Sequence, residues 1–178
     1  MEVRSKVKLT WEVVELLCTQ IAHDIEDSGI VYDGILGIAR GGLIPAVLIA
    51  GVLGVRDVKT IQLSRYHEGV PGEVKGIASN DPLLLCGKWL AVDDIIGTGE
   101  TLEAVKTMYP TVDTCAVLAR PGWNHDPTSM RTFVGKVLPE GQGWIEFPWE
   151  MLRTVDGAQR EISEGERNRV LASLVERN

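Results

Sequence analysis

One stretch constrains the fold of this chain more than any other: Trp89-Leu90-Ala91-Val92-Asp93-Asp94-Ile95-Ile96-Gly97-Thr98-Gly99-Glu100-Thr101-Leu102. It opens with four apolar residues, long enough for a buried strand of a parallel sheet. Two adjacent carboxylates close that strand, and a short loop with Gly97 and Gly99 follows. Glu100 to Val105 then starts a helical pattern. In an open α/β sheet, ligands sit beyond the carboxyl ends of the strands. The glycines let backbone N–H groups turn toward an anion, and the helix N-terminus adds partial positive charge. Thr98 and Thr101 can add hydroxyl donors. The stretch therefore reads as a phosphate cradle with acids beside it, suited to a phosphorylated sugar whose hydroxyls need acceptors. Alone, Asp-Asp would be a solvated turn and Gly-Thr-Gly a tight connection. Here strand, acid pair, glycine loop and helix arrive in register, and such context is what confirms a motif.

The chain before this stretch repeats the arrangement. Thr10 fits an N-cap, and Val14, Leu17, Ile21 and Ile25 recur at helical spacing up to Ser28-Gly29. His23 lies off that stripe and is expected at the surface. Ile35 to Ala39 reads as a first buried strand, ending in Arg40-Gly41-Gly42; Leu43 to Ala50 then reads as a helix with Pro45 in its first turn. Two glycine loops in one small α/β domain, one of them carrying a cation, point to an anion site between them. Val58 to Ser64 alternates as a strand. Residues 65–82 lose periodicity and read as a functional loop, a lid over the site, with Arg65, His67 and Lys75 as its candidate phosphate contacts.

Beyond the central stretch, helix residues Leu102 to Tyr109 stop at Pro110, and Thr114 to Ala119 is another buried strand. It ends in Arg120, placing a second cation at the ligand edge. Phe133 to Val137 is a short strand, and His125, in the loop before it, carries no signal. Trp144-Ile145-Glu146-Phe147-Pro148-Trp149-Glu150-Met151 is an aromatic cluster. Ser163 and Glu166 form a capping box before an amphipathic helix that places Val170, Leu171, Leu174 and Val175 on one face.

The central stretch resembles the phosphoribosyl-diphosphate (PRPP) motif of type I phosphoribosyltransferases. Arg40-Gly41-Gly42-Leu43-Ile44-Pro45 resembles the pyrophosphate loop of the xanthine-guanine branch of that family, and the Trp144–Met151 segment matches that branch's C-terminal segment. The resemblance spans about residues 8–151. It implies an α/β fold, a parallel sheet flanked by helices, with a small hood from the chain ends that holds the base. Residues 1–151 would form the phosphoribosyltransferase domain and 152–178 a C-terminal extension. It further implies transfer of the ribose 5-phosphate of PRPP to a nucleobase, with release of diphosphate and with Mg²⁺ as cofactor. The PRPP contacts would be Arg40, Gly41, Asp93, Asp94, Ile95, Ile96, Gly97, Thr98, Gly99, Glu100 and Thr101. In that scheme Arg40 and Gly41 hold the diphosphate, residues 97–101 the 5′-phosphate, and Asp93 and Asp94 the ribose hydroxyls, with Asp94 the metal contact. Trp144 would stack on the base, Ile145 would read its edge through the backbone, and Arg120 would bond its exocyclic oxygen. Trp149 would be structural. A 6-oxopurine (guanine, xanthine or hypoxanthine) suits that set, because a cation favours a carbonyl oxygen over an amino group. One position departs: Gly97 stands where the purine enzymes carry an Asp that handles the base proton, so the catalytic acid–base group is unassigned. A homodimer or homotetramer is expected. The alternatives are another acceptor base, or a phosphoribosyltransferase-like regulator that senses nucleotides and binds RNA or DNA.

Composition narrows these classes. The 178 residues suit one domain, and 44% hydrophobic with 24% charged residues is an ordinary globular profile. A net charge of −7 removes a broad electrostatic footprint for nucleic acid. Cys18, Cys86 and Cys115 have no metal-ligand spacing, and free thiols fit a reducing compartment. With no signal-like N-terminus and no run of ~20 apolar residues, a cytoplasmic protein without membrane contact is expected. The Gly-x-x-x-x-Gly-Lys loop of nucleoside triphosphatases and the Gly-x-Gly-x-x-Gly fingerprint of dinucleotide dehydrogenases are both missing.

Overall fold

The computed structural model describes residues 6–65, 74–77, 85–123 and 131–150. They belong to two compact units: residues 11–142, and the two chain ends, residues 1–10 with 143–178. In chain order the elements are β1 (Lys6–Lys8), α1 (Trp11–Asp27), β2 (Gly34–Ala39), α2 (Leu43–Leu53), β3 (Asp57–Arg65), β4 (Val74–Ile77), β5 (Trp89–Ile96), α3 (Glu100–Met108), β6 (Asp113–Ala119), β7 (Thr132–Val137) and β8 (Trp144–Glu146).

The larger unit is built on a six-stranded sheet of order β4-β3-β2-β5-β6-β7. From β3 to β7 the strands run parallel, and β4 pairs antiparallel with β3 at one edge. The central strands are apolar without alternation because helices cover both faces. Leu36, Leu90, Ala91, Val92, Cys115, Ala116 and Val117 are all fully buried. On one face, Leu102 and Val105 of α3 pack into a cluster with Leu36, Ile38, Ile61, Trp89 and Ala91. On the other, α1 buries Val14, Leu17, Cys18, Ile21, Ala22 and Ile25, and α2 buries Pro45, Ala46, Ile49 and Ala50. A fully buried aliphatic side chain of this kind contributes about 1.5–3 kcal/mol relative to an exposed one. Cys18 and Cys115 are core residues, with burial raising the Cys18 thiol to about 12 and Cys115 well above its usual value.

The amino-terminal edge of the sheet is fastened by polar contacts. The Tyr32 hydroxyl donates to Asp113 Oδ2 at 2.8 Å, and Lys88 Nζ lies 2.9 Å from the same oxygen. Asp113 is only 4% exposed, so these partners are what keep its carboxylate tolerable in the interior. Three chain segments, leading into β2, β5 and β6, are thereby tied at one point. Beside them the Trp89 indole lies over Gly34, where a Cβ would overlap the ring. Its Nε1 donates to the Cys86 carbonyl at 2.8 Å, and Lys59 Nζ sits 4.4 Å from the ring centre.

Four elements differ from expectation. The strand through Trp89 does not close at the acid pair; β5 carries Asp93 and Asp94 within it and ends at Ile96, because β6 continues to pair with it as far as Ile96↔Ala119. The 65–82 segment is not wholly aperiodic: β3 reaches Arg65, and β4 within the segment pairs Val74 with it, so the sheet gains an antiparallel edge. Lys6-Val7-Lys8 forms a strand parallel to β8, where three residues and two lysines give no readable period. The helix after Arg40-Gly41-Gly42 extends to Leu53, where the Gly54 N–H, in the left-handed conformation, caps the Ala50 carbonyl. His67, residues 78–82, His125 and the expected C-terminal helix lie outside the described residues. Among the described residues no helix is long and apolar enough to cross a membrane.

Candidate functional site

The strand order places the site. From β2 the chain steps one way to β3, and from β5 it steps the other way to β6 and β7, so the order reverses between the paired strands β2 and β5. The crevice at such a switch point, outside the carboxyl ends, is where open α/β sheets bind ligands. Both glycine loops leave the sheet there. Arg120, at the end of β6, stands one strand further along the same edge.

The first loop turns from β2 into α2. The Ala39–Arg40 peptide is cis, and the Arg40 side chain is exposed. The Gly42 N–H donates to the Ile38 carbonyl at 2.9 Å, and the Gly42 carbonyl accepts from the Ala46 N–H at 2.9 Å, opening the helix. Gly42 itself is buried at φ −72°, a conformation any residue adopts. The need for glycine here comes from packing. A Cβ would collide with the Val92 carbonyl oxygen and lie 2.9 Å from both Asp93 Cα and the Ile38 oxygen. This contact between the β2 loop and β5 gave no signal in the sequence beyond the doubled glycine.

The second loop leaves β5. The Asp94 N–H donates to Asp93 Oδ1 at 3.0 Å, and the Ile95 N–H donates to Asp94 Oδ1 at 2.7 Å. Burial, followed by repulsion from Asp94, raises the Asp93 carboxyl from 3.8 to about 8. Gly97 and Thr98 are exposed, Gly99 turns in the left-handed conformation at φ +95°, and α3 begins at Glu100. The N–H groups of a helix's first turn have no partner within the helix and face outward toward an anion. Glu100 and Glu103 in that turn suit the dipole. Gly97 is not at positive φ, and a Cβ there meets nothing within 4 Å.

Arg120 locks the end of β5. Its N–H donates to the Ile96 carbonyl at 2.9 Å, while its Nη1 donates to the Gln142 carbonyl at 2.9 Å. Thus Arg40, Asp93, Asp94, residues 95–101 and Arg120 all lie at one edge of one unit. Trp144 and Ile145 belong to the smaller unit. There β8 pairs Trp144 with Lys6 and Ile145 with Val7; Trp144 is 59% exposed and Ile145 is buried. Trp149 stacks on Phe147 at 4.7 Å, and the Phe147 N–H donates to Glu150 Oε2 at 3.0 Å. Among the described residues no three His, Cys, Asp or Glu side chains converge as a metal site. The acid pair supplies two carboxylates, enough for a hard cation that takes its other ligands from phosphate and water.

Known proteins share this fold. Residues 9–152 match the model of the phosphoribosyl transferase domain. The chain is 34% identical over 148 residues to a xanthine-guanine phosphoribosyltransferase of Chromohalobacter salexigens, covering 80% of this chain and 83% of the relative. A purine phosphoribosyltransferase of Pyrococcus horikoshii superposes with a TM-score of 0.65 at 28% identity, covering 84% of this chain and 97% of that one. A hypothetical protein of Neisseria gonorrhoeae, solved with ppGpp bound, superposes with a TM-score of 0.72 over 97% of this chain and 99% of that one. At 20% identity the last is a likeness of fold.

The raised Asp93 carboxyl makes a prediction for the protein without ligand. Folding binds a proton that the unfolded chain releases above pH 3.8, so stability falls as pH rises from about 4 toward 8 and levels off beyond. Asp93→Asn removes that dependence. Its melting temperature should exceed the wild-type value by more at pH 8 than at pH 5, and an equal difference at both values would contradict the assignment.

Proposed function

The chain belongs to the phosphoribosyl transferase family, and from that premise we propose that it moves the ribose 5-phosphate of PRPP onto a 6-oxopurine (guanine, xanthine or hypoxanthine) and releases diphosphate. The observation that carries this reading is the acid pair of β5 standing between two glycine loops at the switch point of the sheet. One ligand with a phosphate at each end and hydroxyls between them matches that order.

The roles follow from the positions. The cradle of Gly97, Thr98, Gly99, Glu100 and Thr101 receives the 5′-phosphate on backbone N–H groups at the α3 N-terminus. Arg40 and the Gly41 backbone receive the diphosphate. Asp93 and Asp94 accept from the ribose hydroxyls. In the reaction the bond from C1 to the diphosphate oxygen breaks, the bond from C1 to a base nitrogen forms, and the base gives up a proton. Positive charge develops on the ribose, and the carboxylates beneath it stabilise that charge. Mg²⁺ fits as the cofactor, since Asp94 with few other protein ligands and a diphosphate is its usual environment. When bound it neutralises the leaving diphosphate. Arg120 meets the oxygen of the base, Trp144 stacks on it and Ile145 reads its edge.

Gly97 leaves the base proton without a carboxylate at the position where related purine enzymes have one. Its ordinary φ and the open space above it support a loop that admits a side chain. Wild-type protein should release diphosphate from PRPP slowly with the three oxopurines. Gly97→Asp should accelerate the reaction, within the ~10²–10⁴ that general acid–base help supplies. Wild-type protein inert with all three purines yet fast with a non-purine base would overturn the assignment.

Self-association is part of the proposal. All eleven residues of α2 are apolar, glycine or proline, and along its outer stripe Val47, 64% exposed, and Gly51 are exposed while Ile44 and Leu48 are half-buried. A helix apolar all round is ordinarily buried, which supports a homodimer or homotetramer. Sedimentation equilibrium should give a multiple of the 19.5 kDa chain mass, and a monomer at micromolar concentration would contradict it.

A further inference from the structure

Gly41 and Gly42 both lack a side chain, for different reasons. At Gly42 the space for a Cβ is filled by backbone, namely the Val92 carbonyl and Asp93 Cα, so this residue fixes how closely the β2 loop approaches β5. At Gly41 the space is filled by a side chain: a Cβ would overlap the carboxylate of Asp94, with Oδ1 at 2.7 Å and Oδ2 closer still. Gly41 is not at positive φ, so its backbone would accept alanine without strain. The three nearest atoms such a Cβ would meet all belong to the acid. That acid is held from the other side, where the Ile95 N–H donates to Asp94 Oδ1 at 2.7 Å. The carboxylate is thus trapped between an N–H of its own strand and the bare backbone of the neighbouring loop.

We propose that Gly41 is a positioning residue for Asp94, its missing side chain letting the β2 loop hold that carboxylate in the orientation that meets the ribose. The proposal rests on the PRPP reading of the site. It couples the diphosphate loop to the sugar acids, because a shift of either one moves the other. A Cβ at Gly41 is accommodated by swinging the Asp94 carboxyl, which costs the fold little and costs the sugar its acceptor. The Gly41 N–H stays in place for the diphosphate.

A mutant cycle with Gly41→Ala, Asp94→Ala and the double variant tests this, read as PRPP affinity by calorimetry with Mg²⁺ present and as kcat/KM for PRPP. Melting temperatures verify that each variant is folded. Gly41→Ala should weaken PRPP binding about tenfold or more in the Asp94 background and have no effect once Asp94 is alanine, a coupling that independent sites do not show. Inorganic diphosphate, which reaches the loop and not the acids, should bind Gly41→Ala as it binds wild type. Additive losses, or diphosphate affinity falling as far as PRPP affinity, would overturn the positioning role while leaving the functional reading intact. Wild-type protein that fails to bind PRPP would overturn the functional reading and the positioning role with it.

Discussion

The close approach of the β2 loop to β5 is the contact on which the rest of the site depends. Strands β2 and β5 are hydrogen-bonded neighbours, so their carboxyl ends open side by side. Adjacency alone leaves a gap that side chains would fill. Gly42 removes that filler and seats the loop on the Val92 carbonyl, and Gly41 then lies against Asp94. As a result the cationic loop, the acid pair and the 97–101 loop form one continuous edge. A single Cβ at Gly42 would force backbone to move, which is the expensive kind of repacking in a close-packed interior.

The two ends of the sheet divide the labour. At the amino-terminal edge, Tyr32, Lys88 and Asp113 satisfy one another, and a buried carboxylate with that many partners fixes strand order. At the carboxyl edge two acids are adjacent in one strand. Asp93 and Asp94 sit side by side, each accepting from the backbone N–H of the residue after it, and burial followed by repulsion from Asp94 raises Asp93 to about 8. Such perturbed carboxyls cluster at functional sites, where burial and neighbouring like charges are arranged to shift them.

Much of this was legible in the sequence. Unbroken apolar runs gave β2, β5 and β6, since strands covered on both faces carry no alternation to misread. The i, i+3, i+4 stripe gave α1. The strand and helix that flank Asp93-Asp94 and the glycine loop were identifiable as β5 and α3. Other features had no local signature. β1 and β4 are three and four residues long and owe their existence to partners distant in sequence. The Tyr32–Asp113 bond spans 81 residues. The role of Gly42 is set by a carbonyl on another strand, and the outward stripe of α2 is invisible in a helix whose residues are apolar on every side. The position of Arg120 just beyond the carboxyl end of β6 was legible, while its bond to the Gln142 carbonyl depends on a loop the pattern does not constrain.

The central claim is that two loops on adjacent strands hold the two phosphate ends of one sugar, with the acid pair between them. A crystal structure of the protein with PRPP and Mg²⁺ tests it most directly. The account predicts density for the 5′-phosphate over residues 97–101, for the diphosphate against Arg40 and Gly41, and for the ribose hydroxyls within hydrogen-bond distance of Asp93 and Asp94. A PRPP molecule bound elsewhere on the sheet, or one whose diphosphate occupies the 97–101 cradle, would contradict it.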